Sequence, residues 1–292
     1  MSIRPDLTAL ASQLGAPPIT RYAPSPTGYL HLGHVVNAIY VWGIARALKG
    51  RVLLRIEDHD RIRSRPAFEA ALLDDLDWLG FEADGGRTPV VRQSDRHGLY
   101  EDALQQLRQA HPVYACACSR KEIGGERYPN TCRAARLEER RDRGLRLTID
   151  NGIETFVDGQ LGAQQQSPTD DSGDILLRDR DGHWTYQFAV TVDDTRDGIT
   201  LVIRGADLLS SAGRQLRLAR MLGRTQPPVF LHHPLILKPS GEKLSKASGD
   251  TGVRELRAAG ATPADVIGRA AAAVGLVHAP RPIAADEVAG LF

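Results

Sequence analysis

The sequence predicts an α/β fold built on a parallel sheet, with an insertion in the middle of the chain and a short helical segment at its end. Apolar, β-branched runs alternate with segments of helical periodicity over residues 1–110, and the same alternation returns over 186–250. Such alternation is typical of parallel sheets. Residues 111–185 are polar and carry all three cysteines, whereas 251–292 are Ala-rich and helical in pattern.

The elements follow from local signals. ITRYAPSPTGYLHLGH predicts a strand, a Gly/Pro loop and the start of a helix that continues through VVNAIYVWGIARALKG. RVLLRIED predicts a buried strand, and residues 66–80 and 95–110 predict helices, the first opening on Pro66 and closing on Gly80. In the second half, FAVTVDD, GITLVIRG and VFLHHPLIL are predicted strands, and SSAGRQLRLARMLG is a predicted helix.

The composition excludes several classes of protein. The chain has 292 residues, 42% of them hydrophobic and 25% charged, with a formal net charge of +1. Any surface that binds nucleic acid must therefore be local. No apolar run approaches the roughly 20 residues of a membrane span, and residues 1–18 lack the apolar core of a signal peptide. We expect a cytoplasmic protein without a membrane partner.

The segment from Pro24 to His34 is the first candidate for chemistry. Its prolines and glycines predict a loop that enters a helix N-terminus, where backbone N–H groups and the helix dipole favour phosphate. Gly33 allows a nucleotide to approach closely. His31 and His34 can stabilise negative charge on a phosphorus centre. A Gly/Pro turn with two surface histidines is the alternative.

The second candidate is KLSKA, with Lys243 and Lys246 three residues apart after a Gly-containing turn. Two such lysines can hold a leaving pyrophosphate. Taken alone, a solvated Lys-rich turn is the stronger interpretation. The pair of signatures, one after the first strand and one after the last, favours the catalytic interpretation.

With these two signatures the chain resembles the class I aminoacyl-tRNA synthetases, and more narrowly their glutamyl branch. The matching segments, in the order of that family, are RYAPSPTGYLHLGH, RIEDHDRIRS, DWLG, QSDR, CACS, YQFAVTVDD, VIRGADLL and GEKLSK. The resemblance implies a Rossmann-type core with an inserted zinc-binding subdomain. It also implies activation of glutamate by ATP with Mg²⁺, with His31, His34, Lys243 and Lys246 as catalytic residues and Gly33 at the ATP.

The same resemblance implies a glutamate pocket. A dicarboxylate amino acid requires a guanidinium for its side chain and an acid for its ammonium group. Glu57 suits the ammonium group; Arg21 or Arg204 can hold the side chain, and the resemblance favours Arg21. Without the resemblance, each of these residues is more often part of a structural ion pair. The implied contacts are Arg21, Ala23, Ser25, Glu57, Tyr186 and Arg204.

The three cysteines are spaced like zinc ligands. Cys116, Cys118 and Cys132 lie within 17 residues, and thiolates suit tetrahedral zinc. The resemblance implies Tyr128 as the fourth ligand of a structural Zn²⁺. His111 and Glu126 are the alternative candidates for that position. A small core holding three reduced cysteines is the alternative.

The segment after KLSKA is too short for an anticodon-binding domain of ordinary size. This is the pattern of the glutamyl-Q tRNA(Asp) synthetases, which transfer glutamate to queuosine in the anticodon of tRNA(Asp). We expect the anticodon stem-loop of tRNA(Asp) and L-glutamate as partners of a monomer. The Arg-rich stretch 133–146 is either a phosphate-contacting face or a solvated helix.

Three alternatives remain open at this point. The first is a truncated but conventional glutamyl-tRNA(Glu) synthetase. The second is a catalytically inactive, synthetase-like binding protein, against which the intact histidines and lysines argue. The third is another nucleotidyl transferase with an HxGH signature, against which Arg21, Glu57 and the VIRG segment argue.

Overall fold

The computed structural model describes residues 3–60, 62–85, 90–125, 127–236 and 252–292. The helices are α1 (Leu7–Leu14), α2 (Leu32–Ala47), α3 (Pro66–Leu79), α4 (His97–Ala110), α5 (Arg120–Ile123), α6 (Pro168–Asp171), α7 (Tyr186–Arg196), α8 (Ala212–Met221), α9 (Val253–Ala258) and α10 (Pro263–Ala273). The strands are β1 (Ile19–Tyr22), β2 (Arg51–Ile56), β3 (Val91–Arg92), β4 (Val113–Cys116), β5 (Gly144–Leu147), β6 (Glu154–Asp158), β7 (Gly162–Gln166), β8 (Ile175–Arg178), β9 (Leu201–Gly205) and β10 (Val229–His233).

Parallel strands form the centre of the molecule, as the sequence predicts. β1, β2 and β3 pair in parallel, and β9, β10 and β6 do the same, with β7 antiparallel at their edge. β1 lies beside β9, where the N–H of Thr200 donates to the carbonyl of Ile19 over 2.9 Å. The strand order reverses between β1 and β9, and ligands of open α/β sheets bind at such a point.

Helix α2 is the central packing element. Ten of its residues are buried, and its apolar side chains join those of α3, α10 and the C-terminal residues in one core. The C-terminal segment therefore packs on α2: the ring centroids of Phe292 and Tyr40 lie 5.0 Å apart. Because α2 follows directly after the loop that leaves β1, its N-terminus lies at the carboxyl end of the sheet.

One predicted strand is a helix. FAVTVDD forms most of α7, and Phe188–Asp194 are buried without alternation. A short apolar run that is buried on all sides has no period that separates strand from helix. The helical alternative for 133–146 is also wrong, since this stretch forms turns and irregular backbone before β5 begins.

The inserted segment contains its own antiparallel sheet of β4, β5 and β8. Its apolar residues pack with α4 and α7 in a second core. The β6–β7 hairpin also falls within residues 111–185, but it joins the parallel strands through Asp158, which pairs with Phe230 on β10. Among the described helices, none is both long enough and apolar enough to cross a membrane.

Candidate active site

A cavity of about 460 Å³ opens where β1 and β9 end. It gathers side chains from the loop after β1, the end of β2, the start of α7 and the end of β9. Most of the residues that the sequence predicts for the site line this cavity: Arg21, Ala23, His31, Gly33, His34, Glu57, Tyr186 and Arg204. Ser25 lies behind it, where its hydroxyl donates to the carbonyl of Glu57 over 2.7 Å. Lys243 and Lys246 lie outside the described residues.

The two histidines of HLGH are held by backbone hydrogen bonds at the start of α2. His31 is the N-cap, and its Nδ1 accepts from the N–H of Gly33 over 3.1 Å. Nδ1 of His34 accepts from the N–H of His31, also over 3.1 Å. With Nδ1 as acceptor, the proton of each neutral ring is on Nε2. Both imidazoles can therefore present an N–H donor to a phosphate at a helix N-terminus.

Gly33 is required by the imidazole of His31. A Cβ at position 33 would lie 2.9 Å from Cε1 and 3.1 Å from Nδ1 of that ring. The rings of His31 and His34 are 4.0 Å apart between centroids, so the ring of His31 has little room to move aside. A side chain at position 33 would thus displace the cap as well as narrow the approach to the helix.

A buried ion network forms the floor of the cavity. Arg21 on β1 donates from Nε to Asp194 over 3.0 Å, and Arg55 on β2 donates to the same carboxylate over 2.8 Å. Arg55 also donates to Oε1 of Glu57 over 3.1 Å. Although burial raises the pKa of Asp194, the charges of Arg21 and Arg55 keep it below its usual value. Asp194 thus connects the two predicted substrate contacts: it binds Arg21 directly and is joined to Glu57 through Arg55.

This network continues between helices α7 and α4. Asp193, which is fully buried, accepts from Gln93, Arg96 and Tyr100. Arg96 also binds Asp197 at 2.8 Å, at the end of α7. These bonds fix α7 against α4, and because Tyr186 starts α7, they also fix the position of Tyr186.

Arg204 on β9 is held by three neighbours. Its Nε donates to Nε2 of His232 over 2.9 Å, and its Nη1 donates to Oε1 of Gln215 over 2.7 Å and approaches the hydroxyl of Tyr186 at 3.5 Å. Among the described residues, none accepts a hydrogen bond from its buried Nη2. Arg204 lines the cavity, and a buried guanidinium with an unsatisfied donor is suited to bind a carboxylate.

The sequence did not single out several residues that shape this site. Asp194 and Arg55 connect the predicted contacts, and His232 and Asp158 support Arg204. Arg55 lies in RIED and Asp194 in VTVDD. A charged residue inside an otherwise apolar segment is rarely buried without a partner, and this was the signal that could have indicated both residues. For His232, adjacent to Arg204 on the neighbouring strand, only the strand pairing reveals the contact.

The cysteines come together as predicted. The Sγ atoms of Cys116, Cys118 and Cys132 all lie within 4.8 Å of one another. The hydroxyl of Tyr128 lies 3.4 Å from Sγ of Cys116 and accepts from the N–H of Cys132 over 2.9 Å. Three thiols and a phenol in this arrangement fit a tetrahedral zinc site. Burial, followed by the hydrogen bond from Cys116, raises the pKa of Tyr128, so a phenolate ligand requires the field of the cation.

Two features hold Tyr128 against the cysteines. The guanidinium of Arg146 stacks 3.6 Å above its ring and donates to Sγ of Cys116 over 3.3 Å. Gly173 adopts φ +70°, and a Cβ there would lie 2.1 Å from the carbonyl oxygen of Tyr128. Of the substitute ligands, His111 caps the end of α4 and is not part of the cluster, and Glu126 lies outside the described residues.

Comparison with known proteins identifies the family of the chain. Residues 19–270 match the family described as tRNA synthetases class I (E and Q), catalytic domain. A glutamyl-Q tRNA(Asp) synthetase of Symbiobacterium thermophilum is 40% identical, over 93% of this chain and 91% of its own. One of Rhodobacter capsulatus is 41% identical, over 85% and 98%. The chain belongs to the glutamyl-Q tRNA(Asp) synthetase family. The family resemblance inferred from the motifs is confirmed, and the chain is a ligase-type enzyme.

A solved structure shares the fold of this family member. The glutamate tRNA ligase of Elizabethkingia meningosepticum, solved in complex with its amino acid, superimposes with a TM-score of 0.77 at 27% identity. The alignment covers 94% of this chain. The chain spans 64% of the length of that ligase. The class I synthetase catalytic fold is therefore confirmed.

Proposed function

We propose that the chain activates L-glutamate with ATP, without tRNA, and transfers the glutamyl group to queuosine at the wobble position of the tRNA(Asp) anticodon. The observation that carries the first step is that Arg204, whose buried Nη2 has no partner among the described residues, lines the same cavity as Glu57. These two groups offer a cationic and an anionic contact for one amino acid.

Glutamate has one ammonium and two carboxylates, and the cavity offers complementary charges. Arg21 and Arg204 provide cationic donors, of which Arg21 is compensated by Asp194. Glu57 provides the anionic contact, and Tyr186 can donate to a carboxylate. Ala23 and Ser25 shape the wall beside Glu57. We propose that Arg21 and Arg204 together hold the side-chain carboxylate, with Glu57 on the ammonium group.

The activation step requires positioning and charge stabilisation. An oxygen of the α-carboxylate attacks the α-phosphorus of ATP, the bond to the bridging oxygen breaks, and pyrophosphate leaves. His31 and His34 donate to the phosphates at the start of α2, beside Gly33, and Lys243 and Lys246 hold the pyrophosphate. Mg²⁺ enters with the triphosphate and neutralises part of its charge.

The proposed acceptor is supported by the names of the relatives, which are glutamyl-Q tRNA(Asp) synthetases. In this step a nucleophilic group of the queuosine base attacks the glutamyl carbonyl, and AMP leaves. We propose that the chain acts as a monomer on the anticodon stem-loop. Arg136, Arg140 and Arg141 are exposed in the stretch 133–146 and can contact phosphates there.

We also propose one structural Zn²⁺, bound by Cys116, Cys118, Tyr128 and Cys132. Zinc at this position joins β4 to the loop around Tyr128 and stabilises the inserted segment, because a small cluster of side chains has little apolar area of its own.

The activation step is tested by exchange of labelled pyrophosphate into ATP. Exchange should depend on L-glutamate, proceed without tRNA, and stop in Arg204→Ala. D-Glutamate and L-aspartate serve as controls for the shape of the pocket. If the purified, folded protein supports no exchange with glutamate either with or without tRNA, the proposal fails and a binding protein is the better interpretation.

A further inference from the structure

A buried pair of side chains lies behind Arg204. Nε2 of His232 is 2.9 Å from Nε of Arg204, and Nδ1 of His232 is 2.6 Å from Oδ2 of Asp158. All three side chains are at most 4% exposed. They come from three neighbouring strands, since Arg204 is paired with His232 in the register of β9 and β10, and Asp158 ends β6.

The hydrogen-bond partners determine the tautomer of His232. Nε of Arg204 is only a donor, so Nε2 of the imidazole must accept. The single proton of the neutral ring is then on Nδ1, where the Asp158 carboxylate accepts it. A cationic His232 would direct an N–H and a positive charge at the guanidinium. The relay therefore consists of an anionic Asp158, a neutral His232 and a cationic Arg204.

The contacts of Arg204 leave one of its nitrogens without a partner among the described residues. His232 occupies Nε, and Gln215 occupies Nη1 at 2.7 Å. Gln215 is in turn fixed by Gln187, whose Oε1 accepts over 3.0 Å. With these sides held, Nη2 is the nitrogen that remains for a ligand among the described contacts.

We propose that His232 and Asp158 are positioning residues that orient Arg204 and so select a carboxylate over a carboxamide at the side chain of the amino acid. This inference rests on the proposed activation of glutamate. Every guanidinium offers donors only, so a carboxylate can accept at both of its oxygens, whereas the NH₂ group of a carboxamide meets a donor. A guanidinium that is not held in place can turn away from that NH₂ group, which would lower both the discrimination and the affinity.

Asp158→Asn tests the tautomer specifically. Oδ1 of Asp158 accepts from the N–H groups of Gln160, Leu161 and His232 over 2.9–3.2 Å. In the variant this position must remain the amide oxygen, so the NH₂ group takes the place of Oδ2. It then donates to Nδ1 of His232 and places the ring proton on Nε2, directly against the donor of Arg204. The backbone contacts are retained while the relay is reversed.

A second substitution repairs the relay. His232→Gln places an amide oxygen at the position of Nε2, where it accepts from Arg204 whatever residue occupies position 158. His232→Asn is shorter and reaches only towards Asp158. The glutamine variant should therefore outperform the asparagine variant, and Asp158→Asn combined with His232→Gln should outperform Asp158→Asn alone.

The experiment measures pyrophosphate exchange against glutamate and glutamine concentration for these variants, with thermal unfolding in parallel. For Asp158→Asn we expect KM for glutamate to rise roughly tenfold or more, with a smaller change in kcat and reduced preference for glutamate over glutamine. Recovery in the double variant supports the relay. Wild-type KM in Asp158→Asn, or no recovery in the double variant, would overturn it.

Misfolding of Asp158→Asn and failure of the proposed function can each be distinguished from failure of this inference. If Asp158→Asn does not fold, the order of His232→Gln and His232→Asn decides: equal losses would overturn the inference, and a smaller loss in the glutamine variant supports it. If the wild type itself shows no glutamate-dependent exchange while glutamate still raises its melting temperature, the proposed function fails. The same comparison is then made on the glutamate-dependent shift in melting temperature.

Discussion

Nε of Arg21 donates to the carboxylate of Asp194 over 3.0 Å in the buried floor of the cavity. The same carboxylate binds Arg55, which in turn binds Glu57. The proposed contacts for the two ends of glutamate are therefore connected through one buried acid. A change at Asp194 should affect both ends at once, whereas a change at Arg21 should affect one.

Arg21→Ala should abolish the use of glutamate. A substrate carboxylate would enter the cavity with one of its guanidiniums removed, and removing one partner of a buried charge pair typically costs about 3–5 kcal/mol. The measurement is kcat/KM in glutamate-dependent pyrophosphate exchange, which we expect to fall by at least roughly a hundredfold. Arg21→Lys is the matched variant, retaining the charge but not the fork. Unchanged use of glutamate in Arg21→Ala would show that Arg21 is not a substrate contact.

Asp194→Asn should lower both stability and glutamate affinity. The substitution keeps the shape of the side chain but leaves Arg21 and Arg55 as two buried cations without their shared acid. We expect a melting temperature lower by several degrees and a KM for glutamate raised by roughly tenfold. Asp197→Asn, at the more exposed end of the same network, is the control and should change KM little. A normal KM for glutamate in Asp194→Asn would show that the buried ion network does not contribute to glutamate binding.

Asp75 should make the protein less stable above pH 6. Its side chain lies on α3 at 1% exposure, and burial, followed by the charge of Asp74, raises its pKa to about 6. A carboxyl whose pKa is higher in the folded state than in the unfolded state contributes stability below about pH 4 that is lost as the pH rises through 6.

Asp75→Asn should therefore raise the melting temperature at pH 8. The corresponding gain in the free energy of unfolding is at most about 3 kcal/mol, and it should shrink towards pH 4. Thermal unfolding from pH 4 to 8 measures this. Asp74→Asn is the matched variant: it removes a charge that raises the pKa of Asp75, so the loss of stability should move to lower pH, while its own exposed pair with Arg257 contributes only about 0–1 kcal/mol. A stabilisation by Asp75→Asn that is the same at every pH would exclude titration of Asp75 as its cause.

Purified protein should contain about one zinc per chain, and Cys116→Ser should lose it. Elemental analysis measures the metal, and thermal unfolding should show a lower melting temperature in the variant. Asp181→Asn is the control, because Asp181 is exposed and lies with Asp179 and His183 elsewhere in the insertion. Folded protein that is free of metal without any chelator treatment would contradict the zinc site.

Much of the cavity could be predicted because its residues follow apolar runs directly. Arg21 lies on the first strand, Glu57 follows the second, and Arg204 follows the run ITLVI, where ligands of open α/β sheets bind. The histidines were expected at a helix start, and His31 is the N-cap of α2. Local patterns sufficed for these positions.

Other features depend on contacts distant in sequence. Asp194 reaches Arg21 only because FAVTVDD is helical, and a buried run of seven residues does not reveal its period. The relay joins Asp158 to His232, 74 positions apart, through strands that no local signal pairs. The Arg-rich stretch 133–146 has the charge of a solvated helix, yet Arg146 is buried over Tyr128 and Arg133 binds Asp174.

The most direct test of the proposed function locates the glutamate on the tRNA. tRNA is charged with radioactive glutamate by the purified protein, and the anticodon stem-loop is then separated from the 3′ end by nuclease cleavage. We predict that the label stays with the anticodon stem-loop of queuosine-containing tRNA(Asp) and is absent from tRNA(Asp) that lacks queuosine. Label confined to the 3′ adenosine of tRNA(Glu) would contradict the proposed function.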